Sequence, residues 1–252
     1  MTMRPQFVVF GSSIVQYSYY EGWGATLSHL YARKADIILR GYAGWNSTRA
    51  LQSVDKIIPK NAIVQPSLVI VYFGGNDSTA PHSSGLGPHV PLGEYIENMR
   101  KIAIYIMSLS KNTRIIFLSC FPICEEQVKN NIDEFGGKKR SNEVSRIYSE
   151  ACLELCHEMK IKAIDMWSAI QKRDDWKKVC FIDGIHLTTE GSEIVSKEIL
   201  KVLKEAEWEP SLHWKSMPAD FSEDSPYDLI NHDGSGTINF SNETFPGGVE
   251  WD

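Results

Sequence analysis

Apolar residues in this chain come in short continuous runs: Phe7 to Phe10, Ile37 to Leu39, Leu68 to Phe73, Ile115 to Leu118 and Ile161 to Trp167. A strand with one face in water alternates polar and apolar residues, whereas a strand covered on both faces does not. These runs therefore read as buried strands. Between them lie stretches of helical character, approximately Trp23 to Arg33, Thr48 to Ile58, Leu92 to Ser110 and Ser141 to Met159. A last helix is the clearest, because Val195, Ile199, Val202 and Ala206 recur at i, i+4, i+7 and i+11 with Lys and Glu between them. Strand and helix alternate, so the crossovers are right-handed and helices cover both faces of the sheet. The predicted class is α/β: a three-layer sandwich around a central, mostly five-stranded parallel sheet. Ligands of such sheets sit beyond the carboxyl ends of the strands, so candidate functional residues should follow strands directly.

With 252 residues, 42% of them apolar, the chain can bury one substantial core and does not require two. Residues 1–206 are expected to form the domain and 207–252 a C-terminal extension. From about Glu207 the composition turns to Trp, Pro, Asp, Ser and Asn without helical or strand period, which fits a tail either packed along the body or partly disordered. Trp208 and Trp214 favour packing for its first half, with flexibility left to its end. Two further loops interrupt the rhythm and could wall a pocket at the functional edge. Asp77 to Pro91 carries three prolines and two histidines, and Glu125 to Lys139 is polar with a Gly-Gly pair.

A net charge of -6 argues against the basic surface that nucleic acid or anionic membranes attract. No apolar stretch approaches the length of about 18 residues that spans a bilayer, so no stable membrane insertion is expected. The opening MTMRPQFVVFGSS lacks the charged, apolar and cleavage regions of a secretory signal. The five cysteines, Cys120, Cys124, Cys152, Cys156 and Cys180, are an odd set in a chain that needs no staples, which favours reduced thiols and a cytoplasmic location. Cys152 and Cys156, followed by His157, have no four-ligand zinc spacing around them and read as core residues, so no metal is expected there. Two glycosylation sequons, at Asn46 and Asn76, fall in segments assigned below to the active site, where a glycan would obstruct it.

Three strand ends carry candidate chemistry. The first run leads into Gly11-Ser12-Ser13-Ile14, where a serine just beyond a strand has an exposed hydroxyl and neighbouring backbone N–H groups. Alone, a serine after glycine is usually turn or capping chemistry. The second run leads into Gly41-Tyr42-Ala43-Gly44-Trp45-Asn46, and the third into Gly74-Gly75-Asn76-Asp77, whose glycines let backbone approach a ligand and whose Asn amide offers two donors. Near the C-terminus stands Asp183-Gly184-Ile185-His186-Leu187. An Asp and a His three residues apart can be neighbours in one turn, the carboxylate fixing the imidazole tautomer while the other nitrogen faces a serine. By itself the pair also fits a cap or a metal site.

Taken together, Ser13 in FGSSI, Gly44 in GYAGWN, Asn76 in GGND and Asp183 with His186 in DGIHL resemble, in order and spacing, the four sequence blocks of SGNH (GDSL-type) hydrolases. The match runs from about Phe7 to Glu205. The short length and the helix after DGIHL look like the branch containing isoamyl-acetate-hydrolysing esterases. The stretches ARKADIILRGYAGWNS, VYFGGNDSTAPHSSGLGPHVPL and EAEWEPSLHWKSMP resemble plant GDSL esterase/lipase proteins of the drought-induced CPRD type. The resemblance implies a flavodoxin-like sandwich and a serine esterase without cofactor, acting on a small-molecule ester, acetyl esters especially. Ser13 would be the nucleophile, His186 the general base and later acid, and Asp183 its orienting carboxylate. The oxyanion would be held by the N–H groups of Ser13 and Gly44 and by the Asn76 side chain. Alternatives on the same fold are an acyltransferase to an alcohol or sugar and a catalytically weak binding or regulatory protein. One position departs from the family pattern: Ser12 stands where the motif usually has Asp.

Overall fold

In the computed structural model, residues 4–130 and 140–220 are described, together with two short paired strands, Leu229–Ile230 and Thr237–Ile238. Five strands form one parallel sheet: β1 (Gln6–Gly11), β2 (Asp36–Gly41), β3 (Leu68–Tyr72), β4 (Arg114–Leu118) and β5 (Lys162–Ile164), in the order β2-β1-β3-β4-β5. Their register aligns one edge, since Gly11 lies opposite both Gly41 and Tyr72, Tyr72 opposite Leu118, and Leu118 opposite Ile164. The chain leaves β1 for β2 on one side and later reaches β3 on the other. The carboxyl ends of β1 and β3 therefore flank the point where strand order reverses, which is where such sheets leave a crevice.

Alternate residues of each strand feed two cores. Phe7, Val9, Leu68, Ile70, Ile116 and Leu118 pack against α2 (Trp23–Leu30) and α10 (Thr189–Glu205), among others. Val8, Phe10, Val69, Val71 and Phe117 pack against α5 (Leu92–Met107) and α7 (Asn142–Met159). In α5 the buried positions Tyr95, Met99, Ile102 and Ile106 follow the 3.6-residue period. In α10 Val195, Ile199 and Leu203 are buried, and Thr188 caps the helix by accepting from the Gly191 N–H at 3.2 Å. The cysteines Cys120, Cys152 and Cys156 sit in the second core.

Several elements are shorter than the apolar pattern suggested. The run Ile161 to Trp167 yields only three strand residues, because Asp165 accepts from the Ser168 N–H at 3.0 Å and starts α8 (Met166–Gln171). The stretch Thr48 to Ile58 divides into α3 (Ser47–Leu51) and α4 (Val54–Ile57), and α2 stops at Leu30 ahead of a turn in which Arg33 has a φ of 64°. Part of the segment read as the loop Glu125 to Lys139 is a helix, α6 (Glu125–Asn130); residues 131–139 lie outside the described residues. Two more short helices, α1 (Ser13–Gln16) and α9 (Trp176–Val179), complete the set among the described residues.

Residues 212–220 are tied to the turn after α2 and to Arg4. The Tyr31 hydroxyl donates to Leu212 O at 2.7 Å, Lys34 Nζ to Trp214 O at 2.6 Å, and Arg4 pairs with Asp220 at 2.9 Å. Leu212, His213 and Met217 are buried there. The end of the tail, read from composition as flexible, falls outside the described residues apart from the two short strands. No helix among the described residues is long and apolar enough to cross a membrane.

Candidate active site

The turn after β1 is built on glycine. A Cβ at Gly11 would stand 2.5 Å from Val15 Cγ2 and 2.8 Å from Tyr72 O, so only glycine lets the strand turn directly into α1 beside β3. The Ser12 carbonyl accepts from the N–H groups of Val15 and Gln16, which makes Ser13 the first helical residue. Its N–H consequently has no partner within the helix. The Ser12 side chain is buried and does not cap α1.

Across the crevice, the DGIHL segment forms a tight loop closed by an Ile182 N–H to His186 O bond of 2.8 Å and a bridge between Phe181 and Leu187. Gly184 has a φ of 91°, and a Cβ there would meet Cys124 O at 2.6 Å. The loop thus sits against the backbone after β4. Asp183 Oδ1 accepts from the N–H groups of Ile185 (2.9 Å) and His186 (2.8 Å), while Oδ2 accepts from His186 Nδ1 at 2.6 Å. Partial burial alone would raise the Asp183 pKa, but the hydrogen bonds and charge of His186 and the Ile185 N–H outweigh it and bring it down to about 2. An ionised Asp183 only accepts, so Nδ1 carries the proton and Nε2 is left as an acceptor. His186 Nε2 lies 3.0 Å from Ser13 Oγ. The Tyr17 ring stands edge-on to the imidazole, with centroids 5.3 Å apart.

A cleft of about 760 Å³ lies at the same sheet edge, with Gly44, Trp45, Arg49, Asn76, Glu94 and Arg140 among its lining residues. Gly44 has a φ of 78°, and a Cβ there would meet nothing within 4 Å. The Gly44 turn is tied to the surroundings of Ser13 twice: Tyr42 N–H donates to Gly11 O at 2.9 Å, and Ala43 N–H donates to Gln16 Oε1 at 2.7 Å. The Tyr42 and Trp45 rings stack at 4.2 Å. On the β3 side, Asp77 Oδ1 accepts from the Ser47 N–H at 2.9 Å and Oδ2 from the Gly74 N–H at 3.1 Å, which folds the GGND turn back on itself. Burial pushes the Asp77 pKa up to about 6 against these bonds. Asn76, next in line, is oriented by contacts on both ends of its amide: Nδ2 donates to Trp45 O at 2.8 Å and Oδ1 accepts from Arg140 Nη2 at 2.9 Å.

All five residues singled out from sequence thus stand at one sheet edge. Ser13, His186 and Asp183 are joined in series, and Gly44 and Asn76 line the cleft at the same edge. Gln16, Asp77 and Arg140 were not singled out. The Asp of the GGND turn was visible in the motif; nothing in the sequence around Gln16 or Arg140 signals its contact.

A serine hydroxyl, an imidazole and a carboxylate in this order, at the switch point of a parallel α/β sheet, define a serine hydrolase arrangement. Residues 9–194 match the GDSL-like Lipase/Acylhydrolase family. The chain is 62% identical to GDSL esterase/lipase WDL1 of Oryza sativa subsp. japonica, covering 99% of this chain and 96% of that protein. It is 61% identical to GDSL esterase/lipase CPRD49 of Arabidopsis thaliana, covering 99% and 98% respectively. Among solved structures, the lipase/acylhydrolase from Enterococcus faecalis has the same fold at a TM-score of 0.62 and 17% identity, over 80% of this chain and 96% of that one. The chain belongs to the GDSL-like lipase/acylhydrolase family and is a carboxylic ester hydrolase.

Proposed function

We propose that this ester hydrolase cleaves esters of small acyl groups, acetyl especially, through an acyl-enzyme formed on Ser13. The observation that carries the reading is the unbroken series Asp183, His186, Ser13, with spacings of 2.6 and 3.0 Å. Ser13 Oγ attacks the carbonyl carbon as its proton passes to His186 Nε2, and Asp183 stabilises the imidazolium that results. The N–H groups of Ser13 and Gly44 and the Asn76 amide take the tetrahedral oxyanion. Collapse breaks the ester bond, and the departing alkoxide oxygen takes the proton from His186. Water then repeats the sequence, giving its proton to His186 and releasing the acid as Ser13 recovers its hydrogen.

The space between Ser13, Tyr17, Trp23 and His186 measures about 20 Å³, room for about one water-sized group. The cleft lined by Gly44 and Asn76, about 760 Å³, has room for an ester substrate. A cytoplasmic setting is part of the same reading. It draws on the five free, buried cysteines and on the structural duties of the sequon residues Asn46 and Asn76, Asn46 donating to Pro88 O at 2.9 Å and Asn76 fixed as above.

The test is a labelled organophosphonate together with a panel of acetyl, butyryl and longer acyl esters. Labelling confined to Ser13, and rates that fall with chain length, are expected. Failure to label would favour a binding protein, and transfer to an added acceptor alcohol in place of acid release would favour an acyltransferase.

A further inference from the structure

We infer that Arg140 is a positioning residue of the oxyanion site, a fork that holds the Asn76 carboxamide with its nitrogen toward the cleft. The inference rests on the assignment of Asn76 as an oxyanion donor. Arg140 Nη1 donates to Gly75 O, and Nη2 donates to Asn76 Oδ1 at 2.9 Å. One planar guanidinium thus grips the backbone of the GGND turn and the side chain that follows it.

The chemistry of the contacts removes any ambiguity about which way the amide faces. A guanidinium has donors only, so the atom it meets on Asn76 must be the oxygen. A peptide carbonyl only accepts, so the atom that meets Trp45 O must be the nitrogen. The amide nitrogen carries two hydrogens, and Trp45 O takes one. The second is the donor available to an oxyanion. Were the amide turned over, its oxygen would face the developing negative charge and repel it, and its NH₂ would face the guanidinium. Arg140 therefore excludes the inactive orientation. Its charge also polarises the amide, which strengthens the remaining N–H as a donor.

Arg140 is itself well placed for this duty, because the chain is pinned two residues further on. The Asn142 N–H donates to Glu125 Oε1 at 2.8 Å. Its side-chain oxygen accepts from the Ile123 N–H and from Trp167 Nε1, both at 3.0 Å. The start of α7 is thereby fixed to the segments after β4 and β5, and Arg140 reaches from that anchor to the turn after β3. Lysine could supply the charge at this position but not two parallel bonds in a fixed plane.

The test is a double-mutant cycle between Arg140 and Asn76 on the full chain, with ester turnover as one readout and the rate of organophosphonate labelling of Ser13 as another. Arg140→Gln is expected to lower kcat by about 10-fold or more with KM little changed, since a misoriented donor is felt in the transition state. Arg140→Lys should recover only part of the loss. In an Asn76→Ala background the same Arg140 changes should cost almost nothing further, because the group they act through is gone. An equal loss with and without Asn76, or full activity in Arg140→Gln, overturns the inference. If Arg140→Gln does not fold, as read by circular dichroism, the cycle run with Arg140→Lys decides by the same criterion. If Asn76→Ala itself leaves kcat intact, the oxyanion assignment falls and the inference with it. If Asn76 matters and Arg140 does not, only the inference falls.

Discussion

Two adjacent serines follow β1, and the geometry distinguishes them. Ser13 Oγ lies 3.0 Å from His186 Nε2, whereas the buried Ser12 contributes its carbonyl to α1. Ser13→Ala is therefore expected to abolish phosphonate labelling and turnover while leaving the protein folded. Ser12→Ala should keep labelling and much of the activity, and Ser12→Asp, which restores the residue usual in the family, should be tolerated. Labelling that follows Ser12 instead would move the nucleophile by one residue. At Asn76 the same reasoning predicts that Asn76→Ala lowers kcat by about 10²-fold or more with little change in KM, because the interaction forms chiefly in the transition state. A loss confined to KM would contradict that role. These residues were legible in the sequence because each belongs to a short local pattern, a glycine turn after an apolar run or an Asp three residues from a His. Gln16 and Arg140 carried no such mark. Their partners, Ala43 and Asn76, are brought to them by the sheet and not by sequence spacing, so their part in the site could be seen only in three dimensions.

The loop that presents Asp183 and His186 depends on Gly184 more than on either neighbour. Its φ of 91° is strained for any other residue, and a Cβ would press on the Cys124 carbonyl at 2.6 Å. Gly184→Ala should therefore shift the loop away from Ser13 and depress kcat more than Tm, an outcome read by parallel turnover and thermal unfolding measurements. A normal kcat would show that the loop absorbs the strain without moving the imidazole. Thr188, which caps the helix that follows, offers the contrasting case. Thr188→Ala should cost about 1 kcal/mol of stability, with activity per folded molecule nearly retained. The same local physics explains where element boundaries departed from the apolar pattern. Asp165 ends β5 early by capping α8: its carboxylate accepts from the Ser168 N–H, a polar contact that the apolar residues on either side mask in the sequence pattern.

For the molecule as a whole, the alternation of runs and helices was enough to anticipate a parallel sheet between helical layers, whereas the order β2-β1-β3-β4-β5, which local patterns do not encode, was implied only by the resemblance to a flavodoxin-like sandwich. That order places the turns after β1 and β3 side by side and concentrates ionisable groups at one edge, which gives folding stability a pH dependence with two opposed parts. Asp183, brought down to about 2 in the folded protein, has an unfolded value near 3.9, so it contributes stability above that pH which is lost as pH falls toward 2. Asp77 works the other way. Raised to about 6 by burial, it binds a proton more readily folded than unfolded, so its contribution favours the folded state below about pH 4 and is lost as pH rises through 6. Replacing Asp77 with Asn keeps an acceptor for the Ser47 or Gly74 N–H and removes the buried charge. Between pH 4 and 7, denaturant unfolding of the wild type should show stability falling with pH relative to Asp77→Asn. Below pH 4 the two should fall in parallel, because Asp183 is unchanged in both. A constant difference across the whole range would mean that Asp77 titrates alike in the folded and unfolded chains, and that its bonds to Ser47 and Gly74 fully offset the cost of burying its charge.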